Sequence, residues 1–342
     1  MFISTTHNRV YKALLTIAAA LSIGLLHAQT PQEKGLQSIN RASAEAIVGF
    51  LADDELQGRE AGQHGSRIAA RYLAACLKEA GVAPLLESGY LQTFEACAPE
   101  RQRRGRWQVH PDSIACLKQG THRTLPMANV LGMIPGERTG EYVVVGAHFD
   151  HLGTDESLAG DKIYNGADDN ASGVSAVVQI ARAFVASGQK PMRTVIIALW
   201  DGEEKGLLGS RYFTESCPFI EQIKGYLNFD MIGRNNKLEQ PRHVVYFYTA
   251  ANPAFGQWLK DDIGRYGLKL EPDYRAWDKP TGGSDNASFA VKGIPIIWYH
   301  TDGHPDYHQP TDHAERLNWE KVVDITKASF LNAWNLANTD KY

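Results

Sequence analysis

Apolar residues follow two spacings along the chain, one typical of amphipathic helices and the other of buried strands. Ala46, Ile47 and Phe50 recur at the helical spacing, whereas residues 194–200 form a nearly continuous apolar run of strand length. These patterns predict helices over residues 42–55, 66–80, 172–186, 207–214, 253–266 and 314–338, and strands over residues 91–94, 129–134, 141–145, 194–200, 225–229, 243–248 and 294–299. From residue 127 onward apolar strands alternate with amphipathic helices, which indicates an α/β fold with a mixed or parallel sheet.

The N-terminus has the pattern of a secretory signal peptide. Arg9 and Lys12 precede a largely apolar stretch over residues 13–26, and Ala28 then leads into polar residues. The stretch is shorter than the roughly 20 residues that a spanning helix needs, so we expect no stable membrane anchor. We therefore expect cleavage near Ala28 and an exported protein, periplasmic or secreted, whose residues 29–342 form a single domain.

Composition and charge narrow the possible partners. Hydrophobic residues make up 43% of the chain and charged residues 22%, which is an ordinary globular composition. The formal net charge is −4, and the charges are interspersed except for a short basic cluster between Arg101 and Arg106. Non-specific binding to nucleic acid is therefore not expected.

The segment near residues 90–126 is the least regular part of the chain, and we interpret it as a short surface insertion. It contains the basic cluster together with Cys97 and Cys116, two of the four cysteines. In an oxidising compartment four cysteines allow three complete pairings. We favour a bond between Cys97 and Cys116, because this bond would staple the insertion locally.

Acidic and imidazole side chains follow the predicted strands at the point where each strand ends. They are His148, Asp150 and His151 after 141–145, Glu203 and Glu204 after 194–200, Asp230 after 225–229, and His300, His304 and His308 after 294–299, with Asp168 and Asp169 in the turn before helix 172–186. Binding sites in open α/β sheets gather at the carboxyl ends of the strands. Carboxylates collected there repel one another and need a counter-charge, which metal ions supply.

Each of these residues also has a plainer explanation when taken singly. Asp168 or Asp169 could cap the following helix, and Glu203 and Glu204 could be surface charges. Their convergence favours a metal site, and mixed imidazole and carboxylate ligands without thiolate suit zinc, with manganese or cobalt as substitutes. Even two histidines and three carboxylates from this set would exceed the needs of one catalytic zinc. Such a number of ligands fits two metals that share a bridging carboxylate.

Six motifs carry a resemblance to a known family. In chain order they are AHFDHLG, NGADDNASG, LWDGEEKGLLGS, LNFDMIG, GGSDNASF and HPDYHQPTD, and the earlier LQGREAGQHG extends the likeness over nearly the whole mature chain. The sequence resembles the di-zinc exopeptidase family of aminopeptidase Y, bacterial leucyl aminopeptidase and glutamate carboxypeptidase. This resemblance implies a three-layer α/β/α sandwich with a mixed, mostly parallel central sheet.

The resemblance also implies two Zn²⁺ ions per chain and a set of ligands. His148 and Asp230 would bind one zinc, Glu204 and His308 would bind the other, and Asp169 would bridge both. Motif alignment thus prefers Asp169 to its neighbour as the bridge.

Further roles follow from the same resemblance. Glu203 would be the general base, Tyr307 would donate to the developing oxyanion, and Asp150 would lie behind His148. The peptide bond after Asp169 would be cis.

Other histidines near the proposed ligands are weighed differently. His300, His304 and His308 are spaced four apart, as ligands on one face of a helix would be. Gly303 and Pro305 argue against a helix here, so we assign only His308 as a ligand and the other two as supporting residues.

Two further positions qualify the assignment. His151 is interpreted as a hydrogen-bonding loop residue. Asn286 stands where the family frequently has histidine, which weakens inferences about substrate contacts of that loop.

The function that the resemblance implies is an aminopeptidase acting on peptides. Another exopeptidase specificity, carboxypeptidase or dipeptidase, remains open, because the catalytic residues do not choose among them. A glutaminyl cyclase, which uses one zinc on a similar fold, is the nearest alternative, and a non-catalytic binding module is a third.

Overall fold

The computed structural model describes residues 29–100 and 106–342. Its helices are α1 (Pro31–Ser38), α2 (Arg41–Leu51), α3 (His64–Glu79), α4 (Pro111–Leu117), α5 (Gly173–Ala186), α6 (Leu208–Ser216), α7 (Ala254–Tyr266), α8 (Asn286–Ala290) and α9 (Trp319–Asn338). Its strands are β1 (Ala83–Pro84), β2 (Leu91–Pro99), β3 (His122–Ile134), β4 (Tyr142–His148), β5 (Gly153–Thr154), β6 (Ile163–Tyr164), β7 (Thr194–Trp200), β8 (Ile223–Phe229), β9 (His243–Thr249), β10 (Glu271–Trp277) and β11 (Ile296–His300). The predicted signal peptide, residues 1–28, lies outside the described residues.

A nine-stranded sheet forms the centre of the described part of the chain. Its order is β1-β3-β7-β4-β8-β11-β9-β10, and β2 pairs with β3. The pairs β4–β7, β4–β8, β8–β11 and β9–β10 are parallel, whereas the other four are antiparallel. The predicted mixed sheet is confirmed, and its parallel character is concentrated in the central strands.

Helices cover both faces of the sheet, because successive side chains of a strand point to opposite sides. Val143 and Val145 of β4 pack into the core beneath α2, α3, α5 and α9, whereas Val144 between them packs into the core beneath α6 and α8. All three valines are fully buried. The predicted three-layer α/β/α arrangement therefore follows from continuous apolar strands.

Among residues 29–100 and 106–342, no helix combines the length and apolar character that crossing a membrane requires.

Some elements differ from the sequence prediction. Strand β10 was not predicted, because it is an edge strand paired only with β9 and has mostly exposed or half-buried side chains. Helix α1 was also missed, although Thr30 and Glu33 form a capping box at its start. Helix α9 begins at Trp319 rather than at residue 314, because Asn318 caps it by accepting the Lys321 N–H.

The described residues of the segment near 90–126, which are 90–100 and 106–126, contain more regular structure than the sequence indicated. Strand β2 pairs with β3 from Leu91 opposite Val130 to Pro99 opposite His122, and thereby extends the sheet. A small core that includes Phe94 lies beneath this extension.

The expected disulfide between Cys97 and Cys116 is absent, and all four cysteines are free thiols. Cys97 is buried in β2, whereas Cys116 is exposed on α4. The two elements present these thiols to different environments.

Asp262 on α7 gives the fold a pH-dependent stability. The residue is 9% exposed, and burial raises its pKa to about 7. The folded protein holds this proton up to about pH 7, whereas the unfolded chain releases it near pH 4, so stability falls as the pH rises between these values. We expect Asp262→Asn to raise the melting temperature of the metal-free protein at pH 8 and to change it little at pH 4. Equal shifts at both pH values would contradict this origin.

Candidate metal centre

The predicted site residues meet at one edge of the sheet, where strands β4, β7, β8 and β11 end. A cavity of about 260 Å³ opens there. The predicted site residues that line it are His148, Asp169, Glu203, Asp230, Tyr307 and His308. Segments that are far apart in the sequence therefore share one cavity, because the parallel strands β4, β8 and β11 end on the same side.

Three side chains form the first group of potential metal donors. His148 Nε2 lies 3.3 Å from Asp169 Oδ1 and 3.5 Å from Asp230 Oδ1. All three residues are buried, and their donor atoms are close enough together to hold one cation.

The second group lies on the other side of Asp169. His308 Nε2 is 3.2 Å from Asp169 Oδ2 and 3.2 Å from Glu204 Oε2. Asp169 thus presents one carboxylate oxygen to each group, which is the arrangement of a bridging ligand. The cis peptide bond between Asp169 and Asn170 is present as expected.

Asp168, the alternative bridge, points elsewhere. Its Oδ1 accepts the Gly233 N–H at 2.6 Å, and its Oδ2 lies 3.2 Å from His304 Nε2. Both contacts hold the carboxylate away from the shared position between the two groups.

His151 makes a hydrogen bond, as predicted, and it also lies among the candidate metal donors. It is buried, and its Nδ1 lies 2.7 Å from Glu204 Oε1 and 3.9 Å from Asp169 Oδ2. His151, Asp169 and Glu204 could together hold a cation, so His151 is a candidate donor beside His308. The AHFDHLG motif contains this histidine, but side-chain direction decides its role and cannot be read from the motif.

Asp150 holds the backbone of the neighbouring residues Glu203 and Glu204 through hydrogen bonds. Its Oδ1 accepts the Glu203 N–H at 2.9 Å, its Oδ2 accepts the Glu204 N–H at 3.4 Å, and its Oδ1 lies 3.7 Å from His148 Nδ1. Gly202 precedes the pair at φ +79°, and a Cβ there would lie 2.7 Å from Met127 Sδ. This glycine therefore permits the turn that presents Glu203.

Burial and mutual repulsion set the protonation of these carboxylates. Burial raises the pKa of Glu203 well above its usual range; the field of His148 opposes this rise, and Asp230 adds to it. Burial would also raise the pKa of Asp169, but hydrogen bonding to His148 and His308 holds it well below the usual range. The raised pKa of Glu203 suits a group that carries a proton, whereas the lowered pKa of Asp169 suits a carboxylate that binds metal.

The sequence comparison identifies the family. Residues 129–332 match the profile described as Peptidase family M28. The chain belongs to peptidase family M28. The resemblance found in its motifs is thereby confirmed, and the matched range contains all five proposed metal ligands of this M28 chain.

Curated relatives match this chain over part of their own length. The leupeptin-inactivating enzyme 1 of Streptomyces exfoliatus is 32% identical over 170 residues, which cover 49% of this chain and 34% of that protein. The glutamate carboxypeptidase 2 homolog of Caenorhabditis elegans is 31% identical over 213 residues, which cover 54% of this chain and 26% of that protein. The matches thus span about a third or less of these relatives.

Solved structures share the fold over most of the chain. The LapA aminopeptidase of Legionella pneumophila is 21% identical with a TM-score of 0.65, and the match covers 89% of this chain and 74% of that one. The aminopeptidase from Aneurinibacillus sp. strain AM-1 is 16% identical with a TM-score of 0.66, and the match covers 91% and 97%. The α/β fold of this M28 chain is therefore shared with these aminopeptidase structures.

His300 and His304 belong to neither of the two groups of potential metal donors in this M28 chain. His300 Nδ1 is 2.6 Å from the backbone oxygen of Asp230, and His304 is buried beside Asp168. The segment after β11 is a loop, as Gly303 indicated, so the fourfold spacing does not form a helical ligand face.

Asn286 holds the neighbouring loop together. Its Nδ2 donates to the carbonyls of Pro280 and Gly282, and its Oδ1 accepts the Ser284 N–H at 3.2 Å. In this M28 chain the residue thus has a structural role in shaping the wall that includes Gly283.

Proposed function

We propose that this chain is an exported, zinc-dependent aminopeptidase that removes N-terminal residues from peptides. The observation that carries the proposal is the position of Asp169, with one oxygen facing His148 and Asp230 and the other facing Glu204 and His308. The family assignment supports a peptidase, and the solved aminopeptidases of the same fold favour N-terminal cleavage.

The donor atoms fit zinc. Imidazole nitrogens and carboxylate oxygens gather in the cavity, and the described donor groups contain no thiolate. His148, Asp230 and Asp169 would hold one ion, while Glu204, His308 and Asp169 would hold the second. Bound zinc supplies Lewis acidity, which polarises a carbonyl and lowers the pKa of a water molecule.

In this proposal Glu203 moves the proton. Its backbone is held by Asp150, its side chain lines the cavity, and its raised pKa suits a group that both takes and returns a proton. Glu203 accepts the proton of the attacking water and then gives it to the leaving amine.

In this proposal Tyr307 stabilises the developing oxyanion. It lines the cavity and stacks on His308 with a centroid distance of 3.9 Å. Partial burial of the phenol and the nearby carboxylate of Asp169 raise its pKa, so the hydroxyl stays protonated and can donate a hydrogen bond.

Export belongs to the same proposal. The charged start, apolar stretch and small residue at Ala28 support a signal peptide over residues 1–28. Residues 29–342 would then form the mature single-domain enzyme, with peptides as its substrates.

A glutaminyl cyclase is the second candidate. The glutaminyl cyclase of Fimbriiglobus ruber is 16% identical with a TM-score of 0.65, and the match covers 87% of this chain and 95% of that one. The two donor groups on either side of Asp169 favour the two-metal hydrolase, because a cyclase of this fold would use one zinc.

Metal content and product analysis test the proposal. We expect purified mature protein to contain two zinc ions per chain and to release the chromophore from leucyl or alanyl amides. One zinc per chain with cyclisation of a glutaminyl substrate would instead establish the cyclase. Substrates blocked at the N-terminus provide the control, since an aminopeptidase does not cleave them.

A further inference from the structure

The turn that carries Asp169 lies between two buried side chains of opposite charge. We call residues 165–169 the ligand turn. Arg59 approaches it from the N-terminal segment and Asp312 from the loop after β11, and both side chains belong to fully buried residues. Neither is one of the proposed metal ligands.

Arg59 binds the ligand turn through its backbone carbonyls. Its guanidinium donates to the oxygens of Asn165 at 2.6 Å and Gly166 at 3.0 Å. It also donates to the oxygen of Phe149 at 2.8 Å, next to His148, and to that of Leu51. One cation therefore joins the ligand turn to the end of β4, which carries another proposed ligand.

Asp312 binds the same turn through its backbone amides. Its Oδ2 accepts the N–H of Asp168 at 2.9 Å and the N–H of Asp169 at 3.0 Å. Its backbone oxygen accepts the Ala167 N–H at 3.0 Å. Because Asp312 lies four residues beyond His308, it ties the loop of one proposed ligand to the backbone of another.

Packing alone does not explain why the charged side chains of Arg59 and Asp312 are buried beside the ligand turn. A fully buried charge is expensive to desolvate, and apolar residues of similar volume often stabilise a fold as well or better. Here the Arg59 cation contacts carbonyl oxygens and the Asp312 anion contacts amide hydrogens. Each charge therefore faces the end of the peptide dipole that carries the opposite partial charge. The two contacts fix the backbone on either side of Ala167 and thereby the direction of the Asp169 carboxylate.

We propose that Arg59 and Asp312 are positioning residues that clamp the ligand turn and hold Asp169 in its bridging orientation. This inference rests on the proposed function, since it assumes that Asp169 binds metal. It also assigns a role at the site to the N-terminal segment, because Arg59 lies outside the range 129–332 that matches the family.

Zinc affinity of single and double variants tests the clamp. In competition with a chelator, we expect Arg59→Met and Asp312→Ala each to bind zinc about 10–100-fold more weakly than the wild type, the usual effect of losing a residue that orients a ligand. Asp312→Asn keeps an oxygen that can accept the two N–H groups, so it should recover most of the affinity. Because both residues act on one turn, the double variant should lose less than the product of the two single effects.

Matched controls separate positioning from general stability. Arg193 is also a buried arginine that donates to backbone carbonyls, those of Leu336 and Thr339, and Asp262 is a buried carboxyl outside the centre. Arg193→Met and Asp262→Ala should leave zinc affinity unchanged even where they lower the melting temperature. Loss of affinity in these controls that matches the loss in the clamp variants would overturn the proposal.

Hydrogen exchange of the metal-free protein gives a readout that does not depend on zinc. We expect Asp312→Ala to speed exchange in the peptide that contains Asp168 and Asp169 at least tenfold relative to the wild type, with no change in Arg193→Met. Unchanged exchange in this peptide would overturn the clamp.

A wild type that binds no zinc would refute the proposed function instead, while the exchange result would still decide the clamp. If Arg59→Met does not fold, Arg59→Lys, which keeps the charge but offers fewer donors, takes its place.

Discussion

Replacement of Glu203 by glutamine is expected to lower turnover about 10²–10⁴-fold, the usual contribution of a general base, while zinc content stays at the wild-type value. The carboxamide has nearly the same shape as the carboxylate but cannot accept a proton. The hydrogen bonds that hold this segment run from the backbone N–H groups of residues 203 and 204 to Asp150, so they survive the substitution. Steady-state kinetics on a leucyl amide and metal analysis of the same preparation check both parts.

Two comparisons make the Glu203 result specific. Glu204→Gln changes the adjacent glutamate, whose Oε2 lies 3.2 Å from His308 Nε2, and is expected to lower the zinc content as well as turnover. Glu221→Gln changes an exposed glutamate and should leave both unaltered. Turnover close to the wild-type value in Glu203→Gln would remove this residue from the mechanism.

Replacement of Asp169 by asparagine is expected to affect both metal positions at once. Its two oxygens face different donor groups, at 3.3 Å from His148 and 3.2 Å from His308, and an amide can offer only one of its two atoms as a ligand. We expect zinc content to fall below one ion per chain and turnover to drop by about 10³-fold or more, since the proposed metals would supply several kcal/mol of stabilisation to the transition state.

Asp168→Asn is the matched control for this substitution. The side chain is the next residue along, is equally buried, and contacts Gly233 and His304 instead of the two donor groups. It should retain two zinc ions and substantial activity. If Asp168→Asn lost the metals and Asp169→Asn kept them, the assignment of the bridge would be reversed.

That the candidate site residues lie together could be predicted from the sequence wherever a local rule applied to them. His148 ends β4, Asp230 directly follows β8, and Glu203 lies three residues after β7; strands of this kind end at one edge of an α/β sheet. Gly303 likewise ruled out a helical arrangement of the neighbouring histidines, and the loop after β11 agrees. The sequence did not indicate that His151 contacts Glu204, because these two residues are 53 positions apart.

The errors about the fold have two different physical causes. Strand β10 lies at the edge of the sheet, where partner β9 supplies hydrogen bonds and little apolar burial is required, so no apolar pattern marks it. The expected Cys97–Cys116 bond was inferred from proximity along the chain. One cysteine instead lies buried in β2 and the other exposed on α4.

The sequence by itself determined the α/β fold class and the strand ends that carry imidazole and carboxylate side chains. These properties follow from the period of apolar residues and from adjacency along the chain, which are both local. Only the tertiary structure decided that Asp169 faces two donor groups, that His151 reaches Glu204, and that Arg59 and Asp312 hold the ligand turn from opposite sides. Such relations depend on the directions of side chains from distant segments, and those directions are set by how the helices, strands and loops pack.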